Sequence, residues 1–350
     1  MGENDFNEKK ELTLVTEYFD LQKRGGGHGH GRMQNKEYLE HGKFICNMPF
    51  PLIIYCDPEF QEIISEYRKD SKYETTIIPF TIEEFPHYKH IDKIRENIHK
   101  NPFNRSNPLK FSPEYIVTIL GKYYVIEDSV KYVKTSKLGW IDFGIGHFVN
   151  RNRYELAFTN ITEKVKIMTT RGIYSTCIDE NSPDNFWSFC TAACFFGSVE
   201  NMKDYAIKVQ EKFVEKLLNH NMVLTDEQAM TIAAYKNTSN YEWCYGDYVS
   251  MLENVTIIQN KEHVIKILGW TYYHGGDYEN MYRISKLMYE TYENIRNEPE
   301  TLNYVLKSYF TACRHNGNTD ELKKIVSDYK DFVEKGTISD ADVNIMNYSS

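Results

Sequence analysis

Short apolar runs alternate with segments whose apolar residues recur at helical spacing over most of the chain's 350 residues. Leu12 to Phe19 (LTLVTEYF) is rich in β-formers and predicts a first strand. Arg24 to Arg32 (RGGGHGHGR) is too glycine-dense for a helix or strand, and a short helix is expected around Asn35 to His41. Pro51 to Cys56 (PLIIYC), bounded by Pro51 and by Asp57-Pro58, suits a strand buried on both faces. Phe60, Ile63, Ile64 and Tyr67 then fall on one helical face, and Thr75 to Pro79 predicts a third strand. Ser112-Pro113-Glu114 reads as a helix start, with a Ser cap, Pro at the first position and an acid in the first turn. Ile116, Ile119, Leu120 and Tyr123 line that helix. Further strands are expected at Leu138 to Phe143, Val165 to Thr169 and around Cys194 to Phe196. Ser198 caps a helix carrying Met202, Tyr205, Val209, Phe213 and Leu217.

Strands alternating with helices imply βαβ units and a mainly parallel sheet, an α/β fold. Ligands of such sheets bind beyond the carboxyl ends of the strands, so the residues after Val15, Cys56, Ile141 and Phe196 are the ones to watch. From about Asn260 strand signals stop. Leu268 to Glu290 can be laid over Tyr309 to Asp331, pairing His274 with His315, Gly276 with Gly317, Met281 with Leu322 and Ile284 with Ile325. Each copy reads as a helix, a Gly/Asn turn and a second helix, resembling tetratricopeptide hairpins. The expected division is a flexible start over 1–11, an α/β domain over 12–258, a helical-hairpin region over 259–337 and a tail over 338–350.

Composition narrows the function classes. The chain is 41% hydrophobic, enough for a packed core, and carries 41 basic against 50 acidic residues, a net charge of −9. That balance repels a nucleic-acid backbone, and no Lys/Arg run of the needed density appears. The seven Cys are scattered without a CxxC pair, which reads as reduced thiols in a cytoplasmic protein, with Cys190 and Cys194 as packing residues. The start has no apolar signal core, and no stretch is long and apolar enough to span a bilayer. Aromatic residues make up 14%, with 27 Tyr, and such side chains suit both half-buried walls and sugar pockets.

Candidate chemistry concentrates in Trp140-Ile141-Asp142-Phe143-Gly144-Ile145-Gly146-His147. An apolar strand ends there in a carboxylate that can hold a divalent ion bridging a diphosphate. Gly144 lets the backbone approach a ligand. The same residues also suit an ordinary strand-ending turn. In Leu224-Thr225-Asp226-Glu227-Gln228, Thr225 and Gln228 form a capping box, and Asp226 and Glu227 favour a helix start. Taken by themselves the residues read as a cap, and the chemical alternative is that either acid serves as general base for an acceptor hydroxyl, or as a contact to it. Asp57 is a ligand contact or a turn residue, and the end of the first strand (Thr16 to Asp20) lies at the same rim. Arg32, Arg68 and Lys122 are candidate diphosphate contacts, Lys122 being either a directed cation or a surface lysine with a buried stem. His28 and His30 lie on the glycine loop and suit a lid or linker better than a metal site.

The order of VTEYFDL, the Tyr38-Leu39 pair, PLIIYCD, Arg68, the Lys122 helix, WIDFGIGH, CFFGS, TDEQ and YGDY resembles the HtrL/YibB family over roughly residues 12 to 255. The resemblance implies a GT-A-like (Rossmann-like) fold and a glycosyltransferase that moves a sugar from a nucleotide-diphospho-sugar donor to a hydroxyl of a glycan, lipid or protein. Thr16 and Asp57 would then line the nucleotide site, with Arg68 and Lys122 near the diphosphate and Gly197 bordering the sugar. Asp226 and Glu227 would face the acceptor. Asp142 would stand where related enzymes place an Asp-x-Asp motif for Mn²⁺ or Mg²⁺. Gly144 replaces the usual second Asp, which leaves His147 or His274 as a second ligand. The alternative implied function is a binding or scaffold protein that kept the fold without turnover.

Overall fold

The computed structural model describes residues 11–24, 35–105, 111–147, 149, 161–169, 190–235, 240–245, 252, 277–291 and 299–348. The chain forms two compact units, Met1–Ile258 and Gln259–Ser350.

The first unit is built on a seven-stranded sheet: β1 (Leu12–Tyr18), β2 (Leu52–Cys56), β3 (Thr75–Pro79), β4 (Lys137–Ile141), β5 (Val165–Thr169), β6 (Cys190–Ser198) and β7 (Tyr241–Tyr245), in the spatial order β3-β2-β1-β4-β6-β5-β7. β1 pairs in parallel with β2 and β4, β2 with β3, and β5 with β7. β6 runs antiparallel to both β4 and β5. The predicted mainly parallel α/β sheet is therefore present, with one reversed strand inserted between β4 and β5. The first four strands keep the doubly wound order 3-2-1-4, so β1 and β4 end side by side.

Helices cover both faces because every one of β1, β2, β4, β5 and β6 is buried along nearly its whole length. On one face α1 (Asn35–Cys46) and α2 (Gln61–Arg68) contribute Leu39, Ile45 and Ile64 to a core with Leu14, Ile54 and Ile141. On the other, α3 (Ile91–Asn97), α4 (Pro113–Ser129), α5 (Val199–His220) and α6 (Asp226–Tyr235) pack over Val15, Trp140 and Phe195. Local capping follows the sequence. The Ser112 side chain accepts from the Tyr115 N–H at 3.0 Å ahead of Pro113, and Ser198 accepts from the Asn201 N–H at 3.3 Å. α5 ends at Asn221 in the left-handed region (φ 51°), a conformation that Asn tolerates. Cys190 and Cys194 are buried free thiols, as expected.

In the second unit α7 (Tyr278–Thr291), α8 (Pro299–Asn316) and α9 (Thr319–Glu334) bury Met288, Leu306, Tyr309, Leu322, Ile325 and Tyr329 together. Gly317 turns α8 into α9 at φ +70°, where a side chain would be strained. The repeat partners Met281 and Leu322 are both buried. His274, Gly276 and the first helix of the earlier copy lie outside the described residues, as do His28, His30, Arg32 and the Gly246-Asp247-Tyr248 part of YGDY.

One buried titratable group ties this packing to pH. His87 is stacked on Phe85, with ring centroids 5.6 Å apart, and its Nε2 meets the Val117 carbonyl at 2.9 Å. Burial lowers its pKa from 6.5 to about 4. The unfolded chain therefore binds this proton first on acidification. The stabilising contribution is present above the unfolded value and is lost as pH falls toward 4. We expect the wild-type protein to lose about 2 kcal/mol more than a His87→Met variant between pH 7.5 and pH 5, measured by urea denaturation at both pH values. Equal losses in the two proteins would show that His87 carries no such linkage.

Candidate functional site

Two charged residues stand out among buried apolar neighbours, Glu17 in β1 and Lys122 on the buried face of α4. Strand alternation sends Glu17 to the face that carries Val15 and Phe19, toward α4. Lys122 lies on the same side and is buried down to its ammonium, its side chain 4% exposed. Lys122 Nζ reaches Asp226 Oδ2 at 2.7 Å, Asp142 Oδ1 at 3.3 Å and the Ala192 carbonyl at 3.1 Å. Trp140 Nε1 donates to the same Asp142 oxygen at 2.8 Å, and the ammonium sits 5.4 Å from the Trp140 ring centre. Asp142 is the more open of the two acids, its side chain 33% exposed against 13% for Asp226.

Each member is placed by a different element. Glu17 comes from the carboxyl end of β1, Asp142 from the residue after β4, and Asp226 from the first position of α6. The Asp142 N–H donates to Ala193 of β6 at 2.8 Å, and the following turn closes through Ile145 N–H to the Asp142 carbonyl at 3.0 Å. Helix α1 presses this turn into place. A Cβ on Gly42 would fall 2.0 Å from the Phe143 ring, and one on Gly144 would fall 2.2 Å from the Tyr38 ring. Gly144 is thus required by the packing of Tyr38 in addition to any ligand. At α6 the capping reading and the chemical one both hold. Thr225 N–H donates to Gln228 Oε1 at 3.0 Å and Gln228 N–H to Thr225 Oγ1 at 3.3 Å, and this reciprocal cap fixes the helix start from which Asp226 meets Lys122.

These groups line one cleft of about 110 Å³, walled by Tyr18, Tyr38, Tyr115, Trp140 and Phe143. Glu17 Oε2 is buried at its floor and has no hydrogen-bond partner among the described residues. Burial holds the Glu17 carboxyl well above the usual carboxylate range. Lys122 counters that rise, and Asp142 and Asp226 add to it. Lys122 goes the other way. Burial alone would lower its pKa, but Asp142 and Asp226 together raise it above the ordinary lysine value, so it stays charged. Tyr38 and Tyr115 are likewise held in the phenol form by burial and by the neighbouring carboxylates. The cleft therefore holds one fixed cation, two aspartates paired with it, one carboxyl driven toward its neutral form, and phenol donors.

The other predicted site residues lie elsewhere. Thr16 points to the opposite sheet face from Glu17, and its hydroxyl is fully buried. Asp57 accepts from the Asp20 N–H at 2.7 Å and pairs with Arg24 at 3.2 Å, which ties down the loop leaving β1. Arg68 is buried, and its guanidinium donates to the carbonyls of Cys46, Met48 and Phe50 at 2.7, 3.2 and 3.1 Å. It locks the α1–β2 connection and does not reach the cleft. Gly197 pairs with Leu138, at the start of β4. Because β6 runs backwards, its carboxyl end lies on the other rim, about 10 Å along the strands from Ile141. Glu227 is on the first turn of α6 but does not line the cleft. His147 is exposed, with Nδ1 2.5 Å from the Gly144 carbonyl and its ring against His41.

This set does not fit a divalent ion. One Asp142 oxygen is already shared by Trp140 and Lys122, His147 is not in the cleft, and no cluster of three or more suitable side chains occurs among the described residues. An ammonium occupies the centre of the acids instead. Sequence reasoning marked the strand end from Thr16 to Asp20 without singling out Glu17, and tyrosines for pocket walls without saying which. The available signal was a lone acid in a strand otherwise built for complete burial.

A family model described as "Bacterial protein of unknown function (HtrL_YibB)" matches residues 10–255. Protein HtrL of Escherichia coli K12 is 22% identical over 254 residues, covering 65% of this chain and 85% of that protein. Among solved structures, 4-diphosphocytidyl-2C-methyl-D-erythritol synthase from Anaerococcus prevotii is 11% identical, with a TM-score of 0.35, over 76% of this chain and 99% of that one. Mouse xyloside xylosyltransferase 1 is 11% identical, with a TM-score of 0.34, over 66% and 84%. Among the described residues no helix is long and apolar enough to cross a membrane.

Removing the cation should expose what it holds together. Lys122→Met takes the ammonium from the largely buried Asp226 and leaves Asp142 with the Trp140 N–H, and is expected to cost about 3–5 kcal/mol. Adding Asp226→Asn to that variant should recover part of the loss. Urea denaturation of the single and double variants measures both. A loss below about 1 kcal/mol, the size of an exposed ion pair, would contradict the arrangement.

Proposed function

We propose that this chain, which belongs to the HtrL/YibB family, is a glycosyltransferase that moves a sugar from a nucleotide-diphospho-sugar to a hydroxyl acceptor. The observation that carries the reading is the convergence of Glu17, Lys122, Asp142 and Asp226 in one aromatic-walled cleft at the carboxyl rim of β1 and β4. Open α/β sheets bind ligands at that rim. Carboxylates accept hydrogen bonds from hydroxyls, and phenols both donate and accept, so the lining suits a polyhydroxylated ligand.

In this reading the acceptor hydroxyl attacks the anomeric carbon as the bond from that carbon to the phosphate oxygen breaks. The nucleoside diphosphate leaves with that bonding pair. The proton of the attacking hydroxyl passes to Asp226, whose carboxylate is held in one orientation by Lys122 at 2.7 Å and by the helix cap. Asp142 faces the open side of the cleft and holds the ligand. No step is assigned to a metal, since the donor set of the cleft does not make a site for Mn²⁺ or Mg²⁺. A second reading, a binding protein without turnover, draws on the pairing of Lys122 with both aspartates, which leaves no free cation there to stabilise a departing phosphate.

Product formation separates the two. Incubation of the full chain with uridine- and guanosine-diphosphate sugars should release nucleoside diphosphate. Asp226→Asn should lower kcat by about 10²-fold or more while donor affinity changes little. Donor binding with no release in the wild type would favour the binding protein. Neither binding nor release with any nucleotide-sugar would remove the glycosyltransferase reading.

A further inference from the structure

We infer that the cleft between β1, α4 and α6 is a subsite for an uncharged sugar ring, which on the reading above is the donor's glycosyl group, and that the diphosphate does not sit there. The inference rests on charge and on an unused hydrogen-bonding group. Glu17, Lys122, Asp142 and Asp226 are the charged residues lining the cleft, and the lining contains no Arg or His. The single ammonium is within hydrogen-bond distance of two carboxylates and a carbonyl. A pyrophosphate brought here would meet acids on three elements and a cation already satisfied by two of them. Repulsion of that kind grows as water is excluded.

A neutral ring meets the opposite situation. Its hydroxyls can donate to Asp142, which is the exposed acid, while Glu17 offers a buried oxygen with no partner among the described residues. That orphaned oxygen is the second, independent sign of a missing ligand. An unpaired buried polar atom is costly, and a hydroxyl placed against it removes the cost. Tyr38 and Tyr115, half-buried at the mouth, bring phenol donors and apolar ring surface to the same space. The cleft, near 110 Å³ and open at its mouth, has room for no more than one ring, with the rest of a larger donor lying outside it.

The experiment is calorimetric titration of the full chain and of the variants Glu17→Leu and Asp142→Asn. The titrants are uridine and guanosine diphosphates, their hexose conjugates, and a panel of methyl hexosides, each at low and high salt. Glu17→Leu removes the hydrogen-bonding oxygens at similar side-chain volume, and an apolar group in place of an unpartnered buried polar one leaves folding intact. The sugar conjugate should bind the wild type more tightly than the bare diphosphate does. Both variants should remove about tenfold or more of that increment. Bare diphosphate affinity should stay the same in Glu17→Leu, and stay the same or rise in Asp142→Asn, where a repelling charge is gone. Equal losses for conjugate and diphosphate in the variants would overturn the subsite while leaving the glycosyltransferase reading intact. Methyl hexosides that bind in a Glu17-dependent, salt-insensitive way, with no nucleotide bound at all, would keep the subsite and overturn that reading. Binding of neither sugars nor nucleotides would overturn both.

Discussion

An ammonium with its partners on three different elements organises the carboxyl rim of the sheet. Lys122 comes from α4, Asp142 from the end of β4 and Asp226 from the start of α6, and the Ala192 carbonyl adds a third contact to the ammonium, from β6. None of these charges would be stable alone at this depth. Each is admitted because the others are there, so the packing of α4 and α6 on the sheet and the orientation of the acids are one constraint. Glu17 enters the same field without a hydrogen bond to the cation, and burial drives it toward its neutral form although Lys122 opposes this. The cleft thus sets two aspartates paired with an ammonium beside a carboxyl driven toward its neutral form, a combination suited to hydroxyl groups.

The reversed strand β6 is the topological device that makes this possible. By running against β4 it turns its first residues toward the rim where β1 and β4 end, and Ala192 and Ala193 brace Lys122 and Asp142 through backbone carbonyls. The same reversal carries Gly197 to the far rim. Helix α1 completes the frame from the other face, where Phe143 and Tyr38 occupy space that glycines at 42 and 144 leave open.

Much of this was legible in the residues. β-formers and short apolar runs marked β1 to β5, and Ser112-Pro113-Glu114 marked the start of α4. Lys122 was conspicuous as a cation in an apolar face, and Asp142 as an acid at a strand end. The direction of β6 was not legible, because Cys194-Phe195-Phe196 is apolar on both faces and an apolar run has no polarity. That hidden reversal is why Gly197 was expected at the site. Arg68 was expected there too, since nothing local distinguishes an arginine that binds phosphate from one that caps backbone carbonyls. Glu17 was passed over in favour of Thr16 because adjacent residues of a strand point to opposite faces, and the choice between them needs to know where α4 packs.

The most direct measurement is a crystal structure of the full chain with a bound nucleotide-sugar. The account predicts sugar hydroxyls within hydrogen-bond distance of Glu17 and Asp142, the ammonium of Lys122 still on Asp142 and Asp226, and the phosphates outside the acid cluster. Phosphate oxygens on Lys122, with its two aspartates displaced or bridged by a metal ion, would contradict it.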